Sequence, residues 1–172
     1  MRNLTKRDYF NENELNLLKQ CLKNDRNSLL IKLALVTGAR ESELIKLSKD
    51  SLNPTNNTIY IEATKGSNDR EIAISHELMV DLMNLPTHML FDINTSRIRQ
   101  IWYKLRPLSI KKRFHCFRHT FGVELYKINK DIMFVKDAMG HKSINNTMAY
   151  VRCVDFETKM SDSHKHLAKL IG

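Results

Sequence analysis

One short β-type stretch interrupts a sequence whose hydrophobic period is otherwise helical, and this interruption constrains the fold most. Residues 58–64 and 70–74 are rich in β-branched side chains and predict two short strands. Residues 65–69, with the sequence Lys-Gly-Ser-Asn-Asp, join them and contain the glycine and asparagine that are typical of hairpin loops. The sequence therefore predicts a mainly α fold with a small antiparallel β-sheet, which is an α+β class.

Three helices are predicted before the hairpin. Asn11 and Glu14 have the spacing of a capping box at the start of the first helix. Residues 29–36 are apolar apart from one lysine, which predicts a second helix that is buried on most sides. Gly38 stands where a left-handed residue would end this helix, and a sharp turn would lead to a third helix that contains residues 44–47.

Further helices are predicted after the hairpin. Ser75 is suited to cap a helix that ends at Leu85, and Thr95 or Ser96 is suited to cap another that ends at Leu105. Prolines follow soon after both ends, which supports these boundaries.

From His115 onward the pattern is helical, with a break at Gly140. Ser143 is predicted to start a short helix that contains Tyr150. Residues 155–172 are predicted to form a polar linker followed by a short apolar helix, which contains Leu167, Leu170 and Ile171.

The charge balance indicates a polyanionic partner. Lysine and arginine outnumber aspartate and glutamate 28 to 19, which gives a formal net charge of +9. DNA, RNA and an anionic membrane surface are all compatible with this charge, and so is a basic domain without any nucleic-acid role.

The cysteines and the N-terminus indicate a cytoplasmic protein. Cys21, Cys116 and Cys153 are odd in number and form no C-x-x-C pair, so the sequence predicts neither a disulfide framework nor a zinc ribbon. Residues 1–10 are polar and charged, and no apolar run approaches the length needed to span a bilayer.

Residues 114–121 place several polar side chains on one side of a helix. On an ideal helix His115, Arg118 and His119 share an arc of roughly 100°. The apolar residues of a neighbouring stripe would anchor the helix in the core, and these are Phe114, Phe117, Phe121 and Leu125.

Two other interpretations of the polar stripe exist. It could be an ordinary solvated helix face. It could also bind zinc, since His115 and His119 have the i, i+4 spacing of a zinc-protease helix. However, Cys116 stands where that motif requires glutamate, and no third ligand is evident nearby.

Several such features recur in one order along the chain. Thr37-Gly38-Ala39-Arg40-Glu41-Ser42-Glu43-Leu44 comes first, followed by Lys65 in the hairpin, then His115-x-x-Arg118-His119, then Gly140-His141 and finally Tyr150. This order resembles the signature of the tyrosine recombinase, or phage integrase, family. The resemblance implies the catalytic-domain fold of that family, which is mostly helical with a small antiparallel sheet.

The resemblance implies a catalytic role for residues at both ends of the signature. Arg40 and Arg118 match the two arginines that hold the scissile phosphate, and guanidinium groups suit this task because they offer paired, permanently charged donors. Tyr150 matches the nucleophile that forms a 3′-phosphotyrosyl link. Lys65 matches the residue that protonates the leaving 5′ oxygen.

The remaining positions match histidines and supporting residues. His115 and His141 match the two positions that donate hydrogen bonds to the phosphate. His119 matches a histidine that packs behind the site, Gly140 allows a tight turn before His141, and Glu43 is expected to orient an arginine or to tie two helices together.

The resemblance also implies the partners. It implies double-stranded DNA as substrate, no ATP, metal or other cofactor, and oligomers on DNA formed through the C-terminal tail. Residues 1–172 would form a single catalytic domain, without the N-terminal core-binding domain that relatives commonly carry.

Two alternatives belong to other functional classes. A non-catalytic DNA-binding regulator is possible because residues 29–47 read as a helix-turn-helix. A type IB topoisomerase would use the same tyrosine chemistry without strand exchange.

Overall fold

The computed structural model describes residues 4–64 and 66–169 and shows a mainly helical chain. Its elements are, in chain order, α1 (Glu12–Cys21), α2 (Arg26–Thr37), α3 (Glu41–Leu44), β1 (Leu52–Asn53), β2 (Thr58–Ile61), β3 (Arg70–Ala73), α4 (His76–Met83), α5 (Thr95–Leu105), α6 (Cys116–Asn129), α7 (Ile132–Ala138) and α8 (Met148–Ala168). Two 3₁₀ turns, Lys49–Ser51 and Ile144–Asn146, precede β1 and α8.

The predicted hairpin is present and belongs to a three-stranded antiparallel sheet in the order β1-β2-β3. Ile59 pairs with Ile72, and Ile61 pairs with Arg70. Strand β2 ends three residues earlier than the sequence predicts because the chain enters a tight turn, in which the Ser67 amide donates to the Thr64 carbonyl at 3.0 Å. Strand β1 was not predicted, since two residues are too few to show a period.

The first two helices confirm the predicted signals, and the third is shorter than expected. Asn11 and Glu14 form the capping box of α1, and Gly38 ends α2 with φ at 58°. A Cβ atom on Gly38 would lie 2.3 Å from the Phe121 ring, so the close approach of α6 also requires glycine here. Helix α3 ends at Leu44 because the amides of Lys46 and Leu47 bond three residues back, in 3₁₀ fashion.

Two predicted caps need correction. The cap of α5 is Asn94, whose side chain accepts from the Arg97 amide at 2.8 Å, and neither Thr95 nor Ser96 takes this role. Ser143 caps the 3₁₀ turn Ile144–Asn146 and not the helix that contains Tyr150.

The predicted linker after Tyr150 is wrong. Helix α8 runs without interruption from Met148 to Ala168, because neither glycine nor proline occurs between them to end it. Leu167 lies on this helix, whereas Leu170 and Ile171 lie outside the described residues. Along the stretches that the structure describes, every helix is too short or too polar to cross a lipid bilayer.

The apolar side chains form two clusters. The larger cluster contains Phe10, Trp102 and Phe117 and extends beneath the sheet. The smaller cluster contains Val123 and Tyr150 and lies between α6, α7 and α8. Helix α6 contributes to both, so the predicted apolar stripe of this helix is divided: Phe114 and Phe117 belong to the larger cluster, while Phe121 and Leu125 pack against the smaller one.

The helix-turn-helix interpretation of residues 29–47 does not fit the fold. Helix α2 is buried along most of its length, and the segment that would be the recognition helix is the four-residue α3. Glu43 and Leu44 on α3 are themselves buried. A recognition helix must present its face to a DNA groove, and α3 has neither the length nor the exposure.

Candidate active site

Four segments bring the predicted polar residues together between the sheet and α6. Arg40 directly precedes α3, and His115 directly precedes α6. Arg118 lies in the first turn of α6, His141 follows α7, and Tyr150 lies in the first turn of α8. Lys65 lies outside the described residues.

Arg118 is held by backbone carbonyl groups at the ends of two helices. Its Nη1 donates to the Gly38 carbonyl and its Nη2 donates to the Met139 carbonyl, both at 2.6 Å. Burial, followed by the charge of Arg40, lowers the pKa of Arg118 to about 10, so it remains charged near neutral pH. Each terminal nitrogen has a second proton, which leaves donors for an anion.

Glu43 is fully buried and connects its own segment to the hairpin. Its Oε2 accepts from the Arg40 amide at 2.8 Å and from Arg70 Nη2 at 2.7 Å. Its Oε1 accepts from Arg40 Nη1 and from Ser67 Oγ, both at 3.0 Å. Burial alone would raise the pKa of Glu43, but the hydrogen bond and charge of Arg70, together with the Arg40 amide, outweigh it and lower the pKa to about 2.

Sequence reasoning missed Ser67 and Arg70. A signal for Arg70 did exist: directly opposed residues of antiparallel strands share one face of the sheet, and Arg70 opposes the buried Ile61. An arginine at an inward-facing strand position needs a charged or polar partner. No comparable signal pointed to Ser67, because a serine in a hairpin loop is ordinary.

His141 is buried and lies beside the hairpin. Gly140 adopts φ of 63°, and a Cβ atom there would lie 2.7 Å from the Asn68 carbonyl oxygen, so this turn requires glycine. The Nδ1 atom of His141 lies 2.9 Å from Thr147 Oγ1. Burial, followed by the charges of Arg118 and Arg40, lowers the pKa of His141 to about 3, and the ring is therefore neutral at physiological pH.

Tyr150 is docked inside the protein, with 4% of its surface exposed. Its hydroxyl lies 3.3 Å from His119 Nδ1, and its ring stacks on that of His141 with centroids 6.2 Å apart. A Cβ atom on Gly122 would approach Tyr150 Cε1 to 2.8 Å, so the missing side chain of Gly122 makes room for the phenol. Burial raises the pKa of Tyr150 to about 12, although Arg118 and Arg40 act in the opposite direction.

The two remaining histidines differ in exposure. His115 is exposed at the start of α6, and its ring contacts that of His119 edge-on with centroids 4.6 Å apart. Desolvation, followed by the charge of Arg118, lowers the pKa of His115. His119 is half-buried, and its Nδ1 reaches the Tyr150 hydroxyl.

The site carries excess positive charge. Arg118 interacts electrostatically with Arg40, Arg70 and Glu43, so three arginines face one carboxylate and two positive charges remain unbalanced. A phosphodiester carries one negative charge and gains a second as it is attacked, so this excess suits a phosphoryl transfer. Among the described residues, no group of His, Cys, Asp and Glu side chains is placed to hold a metal ion.

The fold is that of one class of protein, the catalytic domains of tyrosine recombinases. The chain matches the crystal structure of XerA recombinase with a TM-score of 0.72 at 24% identity, over 91% of this chain and 64% of that one. It matches the catalytic domain of bacteriophage HP1 integrase with a TM-score of 0.65 at 27% identity, over 84% and 86% of the two chains.

The sequence itself places the chain in a family. The pattern of the phage integrase family matches residues 8–155, and the chain belongs to this family. It is 30% identical to tyrosine recombinase XerH of Campylobacter jejuni, over 79% of this chain and 44% of that protein. It is 32% identical to a tyrosine recombinase of Pseudothermotoga lettingae, over 82% and 54%. The chain thus spans about half the length of these curated relatives.

Proposed function

We propose that this chain is the catalytic domain of a tyrosine-type site-specific recombinase, which cleaves and rejoins double-stranded DNA through a 3′-phosphotyrosyl intermediate at Tyr150. The observation that carries the proposal is the position of Tyr150 in a pocket with a net excess of arginine charge. Family membership and the fold support it.

In the first step the Tyr150 oxygen attacks the scissile phosphorus while the bond from phosphorus to the 5′ oxygen breaks. The phenol must lose its proton as it attacks, because a neutral phenol is a weak nucleophile. His119 Nδ1 contacts the hydroxyl and is in place to accept this proton. Arg118 and Arg40 favour the phenolate form and thus assist the attack.

The arginines and His141 stabilise the charge that develops on phosphate. Arg40 and Arg118 donate to the non-bridging oxygens through the protons that their protein partners leave free. A neutral His141 that accepts from Thr147 at Nδ1 carries its proton on Nε2, from which it donates to the same phosphate. His115, exposed at the start of α6, is the second histidine donor.

Lys65 protonates the departing 5′ oxygen in this scheme. An alkoxide is a poor leaving group near neutral pH, so a positioned proton donor contributes roughly 10²–10⁴ in rate. Attack by a 5′ hydroxyl on the phosphotyrosine reverses the reaction and releases Tyr150. If that hydroxyl belongs to another strand, the outcome is recombination.

The distal part of α8 supports oligomers on DNA. Phe156, Met160 and Leu167 are exposed by 65%, 53% and 57%, and their spacing places them along one side of the helix. An exposed apolar stripe does not stabilise a monomer, whereas a neighbouring protomer could bury it. Replacing all three by serine should leave DNA cleavage by single molecules intact and abolish multimeric complexes in a mobility-shift assay. Unchanged complexes would contradict this part of the proposal.

The test of the activity is covalent capture. The protein is incubated with a labelled suicide substrate, whose nick releases the 5′ fragment and blocks religation, and is then run on a denaturing gel. We expect a protein–DNA adduct with the native chain and none with Tyr150→Phe. Tyr126→Phe is a matched control and should form the adduct normally. If DNA that the protein binds yields no adduct, the proposed function is wrong for this chain.

A further inference from the structure

Glu43 joins the segment before α3 to the hairpin that contains Lys65. Its two oxygens bind Arg40 on one side and the pair Ser67 and Arg70 on the other, at distances from 2.7 to 3.0 Å. Arg40, which is proposed to bind the phosphate, and two hairpin residues that follow position 65 in the sequence therefore bind one carboxylate.

Ser67 links Thr64 of the hairpin to Glu43. Its hydroxyl accepts from the Thr64 amide at 3.0 Å and shares its own proton between Glu43, at 3.0 Å, and the Thr64 carbonyl, at 2.9 Å. Ser67 is almost fully buried although it lies in a hairpin loop. The residues on either side of Lys65-Gly66 are thus tied both to each other and to Glu43.

The burial of Arg70 lowers the stability of the fold, so a purely structural role explains it poorly. Its guanidinium is buried, and neither Nε nor Nη1 has a hydrogen-bond partner. Nη1 would lie 3.0 Å from a Cβ atom on Gly140, so the group packs against the turn that leads to His141. Unsatisfied buried donors are destabilising, and apolar residues often replace buried ion pairs without loss of stability. The arrangement is therefore better explained by positioning than by stability.

We propose that Ser67 and Arg70 are positioning residues of the DNA cleavage reaction, which act through Glu43 to hold the hairpin in a fixed position relative to Arg40. This inference rests on the proposed function. Ser67 fixes the leaving-group side, and Arg70 fixes the charge and direction of Glu43 on the phosphate side. The position of the hairpin relative to Arg40 is thereby fixed.

Loss of Arg70 would change both the geometry and the pH dependence. The groups that face Glu43 are Arg40 from its own segment, Ser67 and Arg70 from the hairpin, and Arg118 from α6. Without Arg70, the carboxylate draws the Arg40 guanidinium away from the phosphate or takes up a proton. Arg70 contributes most to lowering the pKa of Glu43, so its removal raises that pKa. The acidic side of the plot of cleavage rate against pH therefore moves to higher pH.

The experiment compares variants in single-turnover cleavage of the suicide substrate. Arg70→Gln should slow adduct formation about 10- to 100-fold, as is typical when the partner of a catalytic group is lost. Its acid limb should lie at higher pH than that of the native chain, and Arg70→Lys should recover part of the rate. Arg99→Gln is the matched control, because Arg99 also pairs with a glutamate of α3, Glu41, but in an exposed position. It should keep the native pH profile.

A second substrate isolates the leaving-group side. Sulfur in place of the bridging 5′ oxygen leaves as a thiolate, which needs no proton. Ser67→Ala should cleave the oxygen substrate slowly and the sulfur substrate at nearly the native rate, whereas Arg70→Gln should be slow on both. If Arg70→Gln proves unfolded, the double variant Glu43→Gln/Arg70→Met removes the buried ion pair as a whole and should show the same slow cleavage of both substrates.

Two results would overturn the inference. One is equal impairment of Ser67→Ala on both substrates, and the other is a native pH profile in both Arg70→Gln and Arg70→Lys. These outcomes are distinct from failure of the proposed function, in which the native chain itself forms no adduct. If the native chain forms the adduct and all variants match it, the activity stands and the positioning role is wrong.

Discussion

The two apolar clusters support opposite sides of the candidate site and differ in how much buried apolar surface they contain. Arg118 follows Phe117, which packs against Phe10 and Trp102 with ring centroids less than 5 Å away (4.7 and 4.8 Å). Tyr150 instead belongs to the smaller cluster beneath α8. The side of the proposed phosphate-binding Arg118 therefore rests on a large core, and the side of the proposed nucleophile Tyr150 rests on a small one. Local opening costs least where few apolar contacts must break, so we expect the side of Tyr150 to open more easily than the side of Arg118.

The N-terminal segment links the two clusters. Phe10 packs in the larger cluster, and its amide donates to Thr120 Oγ1 at 2.8 Å. Its neighbour Tyr9 packs in the smaller cluster and donates a hydrogen bond to Glu157 on α8. Movement of α8 must therefore break a contact with this segment.

The largest expected effect is on stability. Trp102→Ala should lower the free energy of unfolding by about 3–5 kcal/mol, because it leaves a cavity in the larger cluster. Val154→Ala in the smaller cluster should cost roughly 1–2 kcal/mol, since it removes less apolar surface where the site can relax. Urea denaturation of both variants measures the difference. Equal losses of unfolding free energy in the two variants would contradict a difference in stability between the two clusters.

Arg118→Gln tests the phosphate-binding side directly. It should reduce the single-turnover rate of adduct formation by about 10²–10³, because a charged donor to the developing phosphate charge is lost. Arg152→Gln, on the exposed side of α8, is the matched control and should cleave far faster than Arg118→Gln. If Arg118→Gln cleaved at the native rate, Arg118 would have no role in cleavage.

Gly122→Ala tests the nucleophile side. The new methyl group would occupy space taken by the Tyr150 ring, so the tyrosine must shift. Misplacement by about 1 Å can reduce the rate up to roughly 10²-fold, and DNA affinity should stay at the native level. A crystal structure of the variant would show whether Tyr150 has left its docked position. If Tyr150 stayed in place and the rate were native, the smaller cluster would be more compliant than we propose.

The last prediction concerns the pH dependence of stability. The pKa of His141 is about 3 in the folded chain, below the ordinary value of 6.5 that it regains on unfolding. The unfolded state thus binds more protons, and stability falls as the pH drops from about 6.5 towards 3. Glu43, with a folded pKa of about 2 against 4.5, adds a further loss below pH 4.5. His141→Gln should flatten the thermal melting profile between pH 6.5 and 4.5, and an unchanged slope would contradict this assignment.

The sequence predicted the fold well because its signals are local. The capping box at Asn11, the left-handed Gly38 and the hairpin all depend on residues close in the chain. The continuous α8 was missed because polar surface residues were interpreted as a linker, although nothing in them ends a helix. Periodicity reports burial and is a poor guide to helices that are largely exposed.

The candidate site was predicted less completely. The positions of Arg40, Arg118, His141 and Tyr150 came from the resemblance, and the structure brings them together, while their roles and that of Lys65 stay predictions. Arg70 was missed because its importance depends on strand register and on Glu43, which lies far away in the sequence. Contacts of this kind cannot be inferred from local patterns.

The docked Tyr150 is also a structural side chain, and under the proposed mechanism this would affect the energy of the covalent state. Any movement of the phenol towards bound DNA vacates a space lined by Gly122 and Met139. An unfilled apolar void costs roughly 24 cal/mol for each Å³. The covalent state would therefore carry the free energy cost of this void, and release of the tyrosine would remove that cost. Such a difference shifts the equilibrium towards rejoined strands and limits the lifetime of a dangerous intermediate.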